Sequence, residues 1–154
     1  MDKKINSIKR SFTILTQEGE RTAKGTVFIS VSQDREYPKA EIRLTFDGKT
    51  YVGRGTDEFY ARPAAQIREQ LPEGIEIACC MTCRYGNECI YGNIPEEYYC
   101  FRDVSLTAKE DLIPYSVPEE LNRRLRDFAY FCPDWQPQSP DYYTYNEFSD
   151  CLAE

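Results

Sequence analysis

Five of the seven cysteines fall between positions 79 and 100, inside a stretch that runs IACCMTCRYGNECIYGNIPEEYYCFRD from Ile77 to Asp103. Their spacing is C-C-x2-C-x5-C-x10-C, and Cys132 and Cys151 are the remaining two. A cluster this dense constrains everything folded around it: the sulfurs must be buried as small apolar groups, oxidised in pairs or gathered on a metal ion. No stretch approaches the roughly 18 consecutive apolar residues of a membrane span. The first residues, MDKKINSIKRSF, lack the apolar run of a secretory signal. A cytoplasmic protein with no membrane association is therefore expected. In a reducing cytosol, clustered thiols serve metal ligation more readily than disulfides.

Cys80 and Cys83 have the C-x2-C spacing with which one short loop supplies two thiolates, and Gly86 follows closely enough to let the backbone fold around the sulfurs. A second C-x2-C pair is missing, so further ligands must come singly from Cys89, Cys100 or Cys132. Cys79 points away from Cys80 if the chain is extended there; it and Cys151 read as inert buried thiols. The chain contains no histidine. That excludes Cys-His and Ser-His-Asp nucleophile systems, histidine bases and histidine metal ligands together. An all-cysteine set is the closed, structural kind of zinc site, so the expected cofactor is a structural zinc and no catalytic residue is assigned. Glu96 and Glu97 read as a solvated surface pair. Gly53-Arg54-Gly55 lacks the third glycine of a dinucleotide fingerprint and reads as a turn.

At 154 residues the chain is the size of one ordinary domain. The expected organisation is α+β within a single domain 1–154. An antiparallel β-meander and a helix occupy 1–74; a Cys-rich segment, a second helix and a docked tail occupy 75–154. Phe12 and Ile14 alternate, Thr26 to Val31 is a β-branched run, and Ala40, Ile42, Leu44 and Phe46 keep a period of two. Gln17 to Lys24 reads as a polar connection and Ser32 to Pro38 as a turn. Asp47 and Gly48 supply a tight hairpin turn into a strand at Thr50 to Gly53. Tyr60, Ala64, Ile67 and Leu71 share one helical face, with Pro63 either in the first turn or at a kink. Gly74 to Ala78 reads as a strand. Ser116 and Glu119 have capping-box spacing before a second helix over Pro118 to Tyr130, with both helices on one face of the sheet. Phe28, Ile42, Leu44, Ile67, Ile77, Leu121, Leu125 and Phe128 are the expected core. Tyr142, Tyr143, Tyr145 and Phe148 carry apolar area that predicts a docked tail.

CCMTCRYGNECIYGN, YYCFRD and YFCPDW with QSPDYYTYNEF together resemble a family of small, uncharacterised bacterial cytosolic proteins, a domain of unknown function. Its marks are a C-x2-C stretch with a YGN turn, a later single cysteine and a YTYN-type tail. The resemblance implies Cys80, Cys83, Cys100 and Cys132 as the metal ligands, with Cys89 in reserve. Cys132 makes physical sense there because a bond to metal would pin the end of the second helix. The 19 basic and 26 acidic residues give a net charge of −7, which opposes general binding to nucleic acid and favours a basic protein partner. The expected function is a non-enzymatic protein-binding module, adaptor- or immunity-like. The alternative is a thiol-based redox or metal-sensing protein using Cys80 and Cys83.

Overall fold

The computed structural model describes residues 4–31, 38–92 and 94–152. The chain forms two compact units, Met1–Ile77 and Ala78–Glu154. In the first, β1 (Lys4–Thr16), β2 (Gly19–Val31), β3 (Lys39–Phe46) and β4 (Lys49–Arg54) make an antiparallel meander. β5 (Glu76–Ala78) lies beside β1, giving the order β4-β3-β2-β1-β5. Alternation puts Phe12, Ile14, Ala23, Val27, Ile42, Leu44 and Phe46 in the core. Asp47 and Gly48, with φ of 51° and 74°, close the β3–β4 hairpin with the two positive values its tight turn requires. The expected turn over Ser32 to Pro38 lies outside the described residues except for Pro38.

Three details of this unit depart from the sequence reading. The connection after β1 is only Gln17 and Glu18, because Gly19 to Lys24 is already strand, in register from Thr16↔Gly19 onward. Its period is quiet: the inward residues are the small Ala23 and Gly25, and a Cβ at Gly25 would stand 2.3 Å from the Phe12 ring. Phe28 faces the other side, half-buried beneath the guanidinium of Arg43, while Val27 takes the core position. Gly53 is not in a turn; it lies within β4, pressed against Pro63, whose carbonyl would lie 1.9 Å from any Cβ there.

α1 (Ala61–Gln70) packs on β4 and β3 and buries Tyr60, Ala64, Ile67 and Leu71. Pro63 stands in its first turn, where its missing N–H is no loss.

The second unit has its own antiparallel sheet, ordered β6 (Gly86–Asn87), β7 (Glu97–Cys100) and β8 (Leu125–Asp127). The architecture is α+β, but α2 (Pro118–Arg124) belongs to this unit and packs on β7. The expected helix to Tyr130 stops at Arg124, since Leu125 turns extended to pair with Tyr99. Leu125 is consequently exposed and Leu121 half-buried, while Phe128 is fully buried. The expected capping box is absent: Val117 occupies the cap position, and the Ser116 hydroxyl donates to the Leu112 carbonyl at 2.8 Å. Residues Lys109–Tyr115 form 3-10 turns, opened by Asp111, whose carboxylate accepts from the Thr107 and Ala108 amides at 2.8 and 3.2 Å. Phe101, Leu106 and Leu112 form a core with Tyr99, Tyr115, Tyr143 and Tyr145 packed against it. α3 (Glu147–Leu152) buries Phe148 and Cys151. Among the described residues no helix is long and apolar enough to cross a membrane.

Candidate metal centre

Cys80 opens a 3-10 turn, Cys80–Thr82, and the Cys83 amide donates to the Cys80 carbonyl at 3.3 Å. The Gly86 amide then donates to the Cys83 carbonyl at 3.0 Å, folding the chain back over the pair. A Cβ at Gly86 would fall 1.9 Å from the Cys80 carbonyl oxygen, so only glycine permits this closure. Gly86 pairs across the sheet with Cys100, at the end of β7. Cys132 enters from a separate turn, its carbonyl accepting from the Trp135 amide at 3.0 Å. It does not end a helix, so the expected pinning of a helix end does not apply.

The cysteine turn is held by side chains distant in sequence. The Trp135 indole N–H lies 3.2 Å from both the Cys79 carbonyl and the Thr82 hydroxyl. Buried Asn146 donates to the Met81 and Gly86 carbonyls, each at 2.8 Å, and Gln138 donates to the Met81 and Cys83 carbonyls at 3.3 and 3.2 Å. Thr144 donates to the Arg84 carbonyl at 2.7 Å. The Cys80 and Met81 amides donate to the Tyr130 and Phe128 carbonyls. The tail does dock, and through polar groups more than through its tyrosines: Thr144 and Asn146 are buried, while Tyr142, Tyr143 and Tyr145 are half-buried.

Burial raises the Cys80 thiol pKa most, and the neighbouring Cys79, Cys83, Cys100 and Cys132 raise it further. Cys83 is raised by burial first, with Cys132 and Cys100 also contributing. Burial and neighbouring thiols thus disfavour ionisation of Cys80 and Cys83, a condition that a bound cation relieves. Cys89 is not among the main groups acting on Cys80 or Cys83; it contributes, after burial and Glu97, to raising the Tyr99 hydroxyl pKa. Cys79 is fully buried and pushed up to about 11, mainly by desolvation. As the side chains stand, no group of three or more Cys, Asp or Glu among the described residues is drawn together as a ligand set. The donor chemistry itself, four thiols without histidine, matches a structural zinc site. The polar residues that brace the turn escaped sequence reasoning, since a side chain aimed at a backbone carbonyl leaves no spacing pattern. Neither a family model nor a curated protein matches the chain.

Proposed function

We propose that the protein is a non-enzymatic, cytoplasmic protein-binding module, adaptor- or immunity-like, whose second unit is organised by a structural zinc on Cys80, Cys83, Cys100 and Cys132. The observation that supports this reading is that Cys83, Cys100 and Cys132 all act on the Cys80 thiol, while Gly86, which closes the Cys80–Cys83 turn, pairs across the sheet with Cys100. A basic protein partner suits the second unit, where 14 acidic residues stand against six basic ones. Tyr91 and Tyr130, 72% and 48% exposed, offer contact area of the kind interfaces favour. The redox alternative is weaker, because a reactive thiol needs a lowered pKa and those of Cys80 and Cys83 are raised.

The test is affinity capture from host lysate at low and raised salt, with and without a zinc chelator. A partner retained at low salt and released by either treatment supports the reading. Capture of no partner, together with reversible Cys80–Cys83 disulfide formation under oxidant, favours the redox switch instead.

A further inference from the structure

The six basic residues of the second unit are Arg84, Arg102, Lys109, Arg123, Arg124 and Arg126. Four of them line one cavity of about 160 Å³, together with Cys100 and a single carboxylate, Asp103. In a unit with a large acidic excess, this gathers positive charge where the general field would not place it.

Arg124 builds the floor. Its side chain is 2% exposed, its fork meets Asp103 at 2.5 and 3.0 Å, its Nε meets Glu120 at 3.0 Å, and it donates to the Cys100 carbonyl at 2.9 Å. The guanidinium also lies 4.4 Å from the Phe101 ring centre and 5.1 Å from that of Tyr115. These contacts fix it and occupy Asp103. Arg102 is paired with Asp134, and Arg123 with Glu120 at 2.8 Å. Arg126 differs: its Nη1 donates to the Arg123 and Leu125 carbonyls at 3.2 and 2.8 Å, and no carboxylate pairs with it among the described residues. Its charge and its remaining donors stay available. Arg124, at the end of α2, and Arg126, in β8, both line the cavity.

We propose that this cavity binds a phosphate-type oxyanion, free or as a small monoester. Planar guanidinium forks match the paired oxygens of such an anion. The cavity is smaller than the roughly 300–1,000 Å³ of pockets for drug-sized ligands, so one tetrahedral group fits and a nucleotide does not. The anion contacts are made by the arginines and not by the Cys100 thiol.

Inorganic phosphate, and separately methyl phosphate, are titrated into the full chain by calorimetry and by amide NMR at constant ionic strength. One saturable site is expected, with shifts confined to residues 100–103 and 123–126. Arg126→Gln and Arg123→Gln should each weaken it about tenfold or more, while Arg84→Gln leaves it unchanged. Equal binding of both probes assigns the site to monoesters; binding of inorganic phosphate alone assigns it to the free anion. Absence of saturation with both probes overturns the proposal. So does binding that survives in both cavity variants while their amide spectra remain folded.

Discussion

One added methyl at residue 86 would collide with the Cys80 carbonyl, and backbone at that contact has no room to yield. Gly86→Ala is therefore expected to destabilise the second unit by more than about 2 kcal/mol, read by chemical denaturation. Wild-type stability would contradict the closure described. Asn146 is 3% exposed and supplies one amide to two carbonyls. Asn146→Ala removes this donor from the Gly86 carbonyl and leaves the Met81 carbonyl to Gln138 alone, and should cost about 1–3 kcal/mol in the same measurement. Gly86 was legible from its place after a C-x2-C pair, because the geometry of that turn is local. Asn146, Gln138 and Trp135 were not, because what they satisfy is backbone more than fifty residues away.

Among the elements, α2 shows how tertiary contacts override a periodic pattern. Leu121, Leu125 and Phe128 keep helical spacing, yet the chain leaves the helix after Arg124. There the guanidinium takes Asp103, Glu120 and the Cys100 carbonyl, while Leu125 joins β7. A periodic reading weighs apolar burial and gives no account of a buried cation. By contrast, α1 and the β3–β4 hairpin were legible because their own burial faces and turn residues agree with the fold. The Arg124 hydrogen bond holds the Asp103 carboxyl below the ordinary carboxylate range, and the Thr107 amide does so for Asp111. A depressed folded-state pKa stabilises the fold above the unfolded value of about 3.9, and this stabilisation is lost as pH falls through the folded value. Melting temperatures of wild type and Asp103→Asn should thus differ by a constant amount from neutral pH to about pH 5, then converge below about pH 4. A gap that widens in acid would contradict the pairing.

At the scale of the whole molecule, charge divides the chain. Residues 1–77 carry 13 basic and 12 acidic residues; residues 78–154 carry six and 14. The first unit has a continuous sheet with a helix packed on it. The second has short strands and much irregular backbone held by side-chain hydrogen bonds, the kind of structure a metal would reinforce. Chelation should therefore accelerate amide exchange across residues 80–146 and leave β1 to β4 protected. Uniform loosening of both units would contradict this division.

The proposed zinc on Cys80, Cys83, Cys100 and Cys132 is tested by metal analysis of protein purified without added zinc. The account predicts one zinc per chain. Serine substitution of Cys80, Cys83, Cys100 or Cys132 should remove it, and substitution of Cys79, Cys89 or Cys151 should not. A metal-free wild-type protein that remains folded, or zinc retained after replacement of all four, would contradict the account.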